Sequence, residues 1–215
     1  MRTHFDEELA QLNKQLIEMG ALCEEAIATA AKSLFEREPA LSAKVAEVDG
    51  EIDRKEHMIE SMCLRLFLQQ QPVAKDLRMI SAALKMITDM ERIGDQAEDI
   101  AEIIPFVCGK TPEDPELLHQ MAQDVIKMVT ESVDAYVKCD IMIAEKVIAD
   151  DDTVDTLFDQ IKQKLIAGIE QQKADGEYAL DLLMIAKYLE RIGDHAVNIA
   201  EWVIFSLTGV HKGKS

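Results

Sequence analysis

The sequence predicts an all-α protein in which six long helices form a tandem repeat of two three-helix antiparallel bundles. One observation is a repeat, because Glu-Arg-Ile-Gly-Asp occurs at residues 91–95 and again at residues 190–194. Another is that 48% of the 215 residues are hydrophobic and only 5% are aromatic, so the core must consist mainly of aliphatic side chains and methionines. A third is that 9 Gly and 5 Pro leave few residues for the many turns of an all-β fold.

The repeat extends beyond its five identical residues. Residues 90–102 align with residues 189–201, and most of the aligned pairs are identical or similar. Such internal similarity indicates duplication and predicts two halves of about 100 residues each. We predict a first repeat over residues 1–108, a linker over 109–115, a second repeat over 116–208 and a flexible tail over 209–215.

In the first half, apolar residues recur at spacings of three and four, which is the period of a buried helix face. Leu9, Leu12 and Leu16 begin this pattern, and Pro39 marks where the first helix ends. Pro72 ends the second helix, because proline disfavours helical geometry in the residue before it. The predicted helices cover residues 5–35, 41–68 and 73–107.

The second half repeats this order. The linker contains Gly109, Pro112 and Pro115, which are turn-forming residues that separate the halves. Asp175 and Gly176 form the last turn. Long helices joined by short loops pack as an up-and-down bundle. The predicted helices cover residues 116–138, 141–172 and 177–207.

The formal net charge of −18 restricts the partners of this protein. A surface this acidic repels phosphate backbones and anionic lipid head groups, so we expect no nucleic-acid binding and no direct membrane insertion. It attracts cations, although solubility alone would also account for the charge.

Other features of the sequence favour a reducing, cytoplasmic location. Cys23, Cys63, Cys108 and Cys139 form no Cys-x-x-Cys pair, so we expect small buried side chains and not a thiolate metal site or a redox motif. No apolar stretch follows a basic start, as it would in a secretory signal. No apolar run reaches the roughly 18 residues of a membrane span.

The last helix of the first half carries an unusual stripe of acids. On a helical wheel, these carboxylates occupy one contiguous stripe beside the core face. Like charges one turn apart repel each other at a cost of about 0.2–0.5 kcal/mol per pair, and a merely solvated face usually intersperses basic residues. The acids of this stripe are Glu91, Asp95, Glu98, Asp99 and Glu102.

Facing acids stand on the preceding helix of each half. Asp49 and Asp53 lie one turn apart in the first half, and Asp151 and Asp155 correspond to them in the second. Carboxylate pairs from two antiparallel helices can surround a cation with oxygen ligands, and this pattern does not distinguish Mg, Mn, Fe, Zn or Ca. The alternative is a charged face whose acids form salt bridges with lysine or arginine from a neighbouring helix.

The two halves are not equally acidic. The last helix of the second half offers three candidate ligands, Glu190, Asp194 and Asn198. Four carboxylates of the first half are lost, because Glu56, Glu60, Glu98 and Asp99 become Phe158, Lys162, Val197 and Asn198. We therefore expect a second metal site that is weaker or holds fewer ions.

Basic residues next to the acids have two interpretations. Arg92 and Arg191 are duplicated together with the carboxylates. Such an arginine most often neutralises one of its acidic neighbours, and the alternative is an anchor for a partner protein. His195 replaces Gln96 on the side away from the core stripe, so we expect an exposed residue and not a metal ligand.

Two three-helix repeats whose last helix reads Glu-Arg-Ile-Gly-Asp-x-Ala-x-x-Ile-Ala-Glu resemble the PhoU family, accessory proteins of the phosphate-specific transport system. The resemblance covers nearly the whole chain, and residues 4–9 are also similar to the opening of the family. It implies a cytoplasmic negative regulator of phosphate uptake and of the phosphate-starvation response, and not an enzyme.

The resemblance also implies partners and a metal. The partners would be the ATPase subunit of the phosphate ABC transporter, the phosphate-sensing histidine kinase and a second copy of the chain in a homodimer. Such partners would recruit the protein to the inner face of the membrane. Acid-x-x-x-acid motifs bind metal clusters in some members of the family. On this sequence those motifs match Glu91, Asp95 and Asp99 with Asp49 and Asp53, and Glu190 and Asp194 with Asp151 and Asp155.

Two other functional classes remain open. A metal-buffering or structural helical protein would use the same carboxylates and need no partner. A di-metal oxidase would need Glu-x-x-His pairs from two helices, but Glu116 and His119 form the only such pair. Glu116 more simply complements the dipole of a helix start. The sequence also contains no Ser-His-Asp order and no Gly-rich phosphate loop.

Overall fold

Apolar side chains at helical spacing fold the chain into six long α-helices, which confirms the predicted fold class. The computed structural model describes residues 2–69, 73–107, 115–172 and 175–210, and this part of the chain contains no β-strand. Residues 109–114 of the predicted linker and residues 211–215 of the predicted tail lie outside the described residues. The helices are α1 (Arg2–Glu36), α2 (Ser42–Gln69), α3 (Ala74–Val107), α4 (Pro115–Lys138), α5 (Ile141–Glu170) and α6 (Gly176–Thr208), with one 3-10 turn at Pro39–Leu41.

Local chemistry fixes several helix ends. The carboxylate of Asp140 accepts hydrogen bonds of 2.8 and 3.4 Å from backbone N–H groups in the first turn of α5. Asp175 accepts a similar bond at the start of α6. Such caps satisfy N–H groups that have no partner within the helix. Gly209 follows the end of α6 at a φ of 78°, a left-handed geometry that glycine adopts without a Cβ clash.

The two repeats share one hydrophobic core. α3 packs against α6 and α1 packs against α4, so the repeats meet along these four helices, and α2 and α5 lie on the outer sides. Buried side chains from both repeats form a single cluster, and each large aliphatic member contributes about 1.5–3 kcal/mol by its burial. Fully buried members include Leu16, Met19, Ile27, Ile52, Met86 and Met90.

A polar contact joins the repeats across the α3–α6 interface. Nδ2 of Asn198 donates to Oδ1 of Asp89 at 3.0 Å, and Nδ1 of His195 lies 2.9 Å from the same oxygen. The side chain of His195 is only 18% exposed, so the expectation that it is an exposed residue was wrong. The reason is that α6 packs directly on α3, which covers a side of α6 that a single repeat would leave open.

The cysteines differ in part from the expectation. Cys23 and Cys63 are buried, and burial raises the pKa of both thiols. Cys139 is exposed because the apolar pattern of α4 stops before it, and it stands in the turn before α5 with a φ of 52°. Cys108 lies outside the described residues.

The hydropathy of the helices bears on the membrane question. Within the described ranges, none of the helices is both long enough and apolar enough to cross a bilayer.

Candidate metal centre

The first repeat brings predicted carboxylates of α2 and α3 to one interface. Asp49 of α2 is 8% exposed, and it lies against Gly94 of α3. Neighbouring acids on both helices repel its negative charge, and together they make this interface strongly anionic. These acids are Asp53, Glu98, Asp95 and Glu91.

Gly94 allows this burial. A Cβ atom at position 94 would lie 2.5 Å from Oδ1 of Asp49 and 3.0 Å from Cδ1 of Ile52, which is closer than such atoms approach without a shift. Glycine inside a helix costs about 1 kcal/mol relative to alanine, so a glycine here has a packing reason. It lets α2 come close enough for an aspartate to be covered by α3.

One oxygen at this interface lacks a partner. Oδ1 of Asp49 is buried and accepts no hydrogen bond from any described residue. A buried acceptor without a partner costs about 1–3 kcal/mol, and more when it is charged. Because the surrounding side chains are mainly acids, a proton or a cation is the partner that would also reduce the repulsion between them.

The pKa values of these acids show the same strain. Burial, with a further contribution from the neighbouring negative charges, raises the pKa of Asp49 to about 7. Burial is also the main cause of the raised pKa values of Glu91, Glu98 and Asp99, and nearby carboxylates add to it. Unfavourable ionisation of several adjacent acids is the condition that a bound cation relieves.

The donor set fits a hard metal ion, although the ligands are not gathered in advance. Carboxylate oxygens are the ligands that Mg²⁺, Ca²⁺ and Mn²⁺ prefer, and the covered oxygen of Asp49 supplies one that points into the interface. Among residues 2–69, 73–107, 115–172 and 175–210, no three Asp, Glu, His or Cys side chains converge to hold an ion. Mutual repulsion keeps such acids apart, and a cation would supply the attraction that draws them together.

The two duplicated arginines contact or face this set of acids. Arg92 forms ion pairs with Glu91 (3.4 Å) and Asp95 (3.0 Å) at the surface of α3. Arg191 of the other repeat lowers the pKa of Asp99 by its positive charge, against the larger effects that raise it. Both arginines are exposed. These contacts favour the neutralising interpretation of Arg92, and a partner-binding role of either arginine stays a prediction.

The second repeat has the same pairing of a helix glycine with an aspartate of the preceding helix, but its acids are more exposed. A Cβ atom at Gly193 would lie 3.4 Å from Oδ1 of Asp151, so this aspartate lies less close to α6 than Asp49 lies to α3. Asp151 is half-buried, and Asp155 and Asp194 are exposed. Asn198 is engaged with Asp89 of α3. The predicted ligands are thus on the expected helices, but none is covered as Asp49 is.

Sequence reasoning missed a cation in the second repeat. Lys187 of α6 forms an ion pair with Glu190, the equivalent of Glu91. Its ammonium nitrogen also lies 5.5 Å from the centre of the Phe158 ring of α5. The aligned position of the first repeat is Thr88, so a comparison of the two repeats at this position would have found it.

Comparisons with known proteins agree with the duplicated fold. A family model described as the PhoU domain matches residues 16–104 and again residues 118–203. The phosphate-specific transport system accessory protein PhoU homolog of Clostridium acetobutylicum is 34% identical over 210 residues, which cover 97% of this chain and 96% of that protein. The homolog of Zymomonas mobilis is 36% identical and covers 95% of this chain and 87% of that protein.

Solved structures give the same result. The crystal structure of PhoU from Pseudomonas aeruginosa matches with a TM-score of 0.90 and 33% identity, over 96% of this chain and all (100%) of that one. The phosphate transport system regulatory protein PhoU from Streptococcus pneumoniae also matches with a TM-score of 0.90, over 98% of this chain and 100% of that one. Its identity is 24%, so this second match supports the fold alone.

The two helix glycines give a matched test of the packing. We expect Gly94→Ala to lower the free energy of unfolding by about 1–2 kcal/mol, because the new methyl group overlaps Asp49. We expect Gly193→Ala to raise it by up to about 1 kcal/mol, because the Cβ fits and alanine favours helix. Urea denaturation with a chelator measures both changes. Shifts of the same sign would contradict the difference between the interfaces.

The pKa of Asp49 predicts a pH dependence in metal-free protein. Because this pKa is raised from 3.8 to about 7 in the folded state, the stabilising contribution of protonated Asp49 is complete below pH 4 and is lost as the pH rises through 7. Above pH 7, we expect Asp49→Asn to raise the free energy of unfolding by roughly 2–4 kcal/mol, since one pKa unit corresponds to about 1.4 kcal/mol.

The measurement is urea denaturation of wild type and Asp49→Asn between pH 4 and 8. Asp151→Asn is the matched control, because that aspartate is only half-buried. Parallel pH profiles for the wild type and Asp49→Asn would show that Asp49 ionises normally and would rule out this account of the interface.

Proposed function

The chain belongs to the PhoU family, and on this premise we propose that it is a cytoplasmic regulatory adaptor of phosphate uptake. It represses phosphate-starvation signalling by linking the ATPase subunit of the phosphate ABC transporter to the phosphate-sensing histidine kinase. The observation that carries the proposal is the near full-length match to proteins named phosphate-specific transport system accessory protein, with both repeats included. Homodimerisation and recruitment to the inner face of the membrane stay predictions.

The same proposal includes a metal ion on the first repeat. Asp49 and Asp53 of α2 would hold it together with Glu91, Asp95 and Asp99 of α3, and Glu98 and Glu102 extend the acidic stripe. The ion would supply positive charge that neutralises these carboxylates and joins the two helices. Support comes from the covered oxygen of Asp49 and from the space that Gly94 leaves for it. Carboxylate ligands leave Mg, Mn, Fe, Zn and Ca as candidates.

An adaptor needs a rigid surface more than a reactive group. Relief of the repulsion between α2 and α3 would hold the outer helix of the first repeat in a single position. A partner that reads this outer face would then distinguish loaded from metal-free protein. The acids and exposed Arg92 would form the charged part of that face.

The oxidase alternative loses support from the position of its only candidate pair. His119 packs edge-on against the ring of Phe35 at 5.0 Å, and its Nε2 lies 2.9 Å from Nε2 of Gln123. These contacts place it at the α1–α4 interface and not at the acidic interfaces of either repeat. A metal-buffering protein remains the second candidate, because it would need only the carboxylates.

Genetic deletion tests the regulatory proposal. In the source organism, we expect loss of the gene to release phosphate-starvation genes at high phosphate, with a phosphatase reporter rising at least several-fold. Wild-type protein should restore repression. The Gly193→Ala variant keeps the acids of the first repeat and should restore it as well. Continued repression in the deletion strain would refute the adaptor. If a variant with Asp49→Asn or Asp95→Asn no longer bound the metal but still repressed fully, the metal would be incidental to regulation.

Thermal unfolding tests the metal. Binding to the folded state alone stabilises by about 2.7 kcal/mol at a ligand concentration 100 times Kd, which in a chain of this length is roughly 5–10 °C in Tm. We therefore expect millimolar Mn²⁺ or Mg²⁺ to raise the Tm of the wild type and to have a much smaller effect on a double variant with Asp49→Asn and Asp95→Asn. Equal shifts in both proteins would point to non-specific screening of surface charge.

A further inference from the structure

At equivalent positions on the facing helices, the second repeat carries two lysines and the first repeat carries none. Ten equivalent positions on the facing helices compare directly. In the first repeat nine of them are carboxylates, and in the second repeat five are carboxylates and two are lysines. The first set is Asp49, Asp53, Glu56, Glu60, Thr88, Glu91, Asp95, Glu98, Asp99 and Glu102, and the second is Asp151, Asp155, Phe158, Lys162, Lys187, Glu190, Asp194, Val197, Asn198 and Glu201.

Both lysines are half-buried beside the interface between α5 and α6, and each pairs with an acid of its own helix. Lys187 of α6 pairs with Glu190, whose side chain is only 15% exposed. Lys162 of α5 pairs with Asp159. Their ammonium nitrogens lie 5.5 and 5.4 Å from the centre of the same Phe158 ring. One aromatic ring therefore holds a cation from each helix, an arrangement that its π electrons favour.

The acids of the first repeat have no such internal cation at the equivalent positions. Glu56 stands where Phe158 stands, Glu60 where Lys162 stands, and Thr88 where Lys187 stands. Burial is the main cause of the raised pKa of Glu56, and the charges of Glu60 and Asp53 add to it while His57 and Arg92 oppose it. This carboxylate therefore adds to the repulsion at the first interface. At these positions the first repeat therefore carries negative charge where the second carries an aromatic ring and positive charge.

We propose that Lys187 and Lys162 take the place of a cation in the second repeat, so that α5 and α6 are joined without a metal ion. The proposal rests on the metal proposed above for the first repeat. It assigns Lys187, Lys162 and Phe158 as the residues that exclude metal from the second repeat. The protein then carries one metal-responsive repeat and one constitutively stable repeat.

Exchange of residues between the repeats tests this directly. The variant Phe158→Glu with Lys162→Glu and Lys187→Thr places the first-repeat residues of these three positions in the second repeat. The reciprocal variant, Glu56→Phe with Glu60→Lys and Thr88→Lys, places the second-repeat residues in the first. Bound Mn²⁺ per chain is measured by equilibrium dialysis and elemental analysis, and Tm is measured with and without Mn²⁺.

We expect the first variant to bind at least one more Mn²⁺ per chain than the wild type and to keep that extra ion when Asp49→Asn is added. The reciprocal variant should lose the Mn²⁺ of the wild type. Lys187→Met, which removes the charge and keeps most of the side-chain volume, should lower the Tm in chelator. Lys146→Thr is the charge-matched control, because Lys146 of α5 pairs with Glu131 of α4 and Asp150 of α5, and it should gain no ion.

Equal Mn²⁺ contents in the wild type and the Phe158→Glu, Lys162→Glu, Lys187→Thr variant would overturn the inference. If the single substitutions Asp155→Asn and Asp49→Asn each removed the same amount of Mn²⁺ from the wild-type protein, the inference would be overturned as well. The proposed function fails on a different result, repression that persists in the deletion strain, so the two failures are distinguishable.

Discussion

The burial of the Asp49 carboxylate against Gly94 is the contact on which the first repeat depends. It requires a helix without a Cβ at one point, and it places an acceptor in a region where hydrogen-bond donors are scarce. The apolar core fixes the distance between α2 and α3 on one side of this contact, through Ile52 and Met90. The same packing sets the backbone positions of the acids on the other side. Hydrophobic packing therefore holds like charges near one another, and the proposed cation would relieve their repulsion.

Duplication gave the protein two copies of this frame and allowed them to diverge. Both copies keep a glycine, an aspartate facing it and an arginine on the outer side. In the second copy, a ring and two ammonium groups replace part of the acidic face, and Asn198 turns to the other repeat. Because α3 and α6 pack on each other within one core, the proposed ion at the α2–α3 interface would act on one side of that core, and the α5–α6 interface on the other side would need no ion. Such an arrangement suits a protein whose role is to present one variable surface.

The sequence predicted the helices to within a few residues because each has a long apolar face with a helical period. It also predicted which carboxylates would share the α2–α3 interface, since a helical wheel places Glu91, Glu98 and Asp95 beside the core stripe. It did not predict the position of His195 or the contact with Asp89, because periodicity within one repeat does not say which faces the repeats bury between them. Lys187 was missed for a related reason. The contact of Lys187 on α6 with the Phe158 ring on α5 is seen only when the two helices are placed side by side.

The central claim is that a cation belongs between α2 and α3 and that lysine replaces it between α5 and α6. An anomalous difference map from crystals grown with Mn²⁺ would locate the bound ions directly. We expect a peak next to Asp49 and Asp95 and none next to Asp151 and Asp194. An empty α2–α3 interface, or peaks of equal height in both repeats, would contradict it.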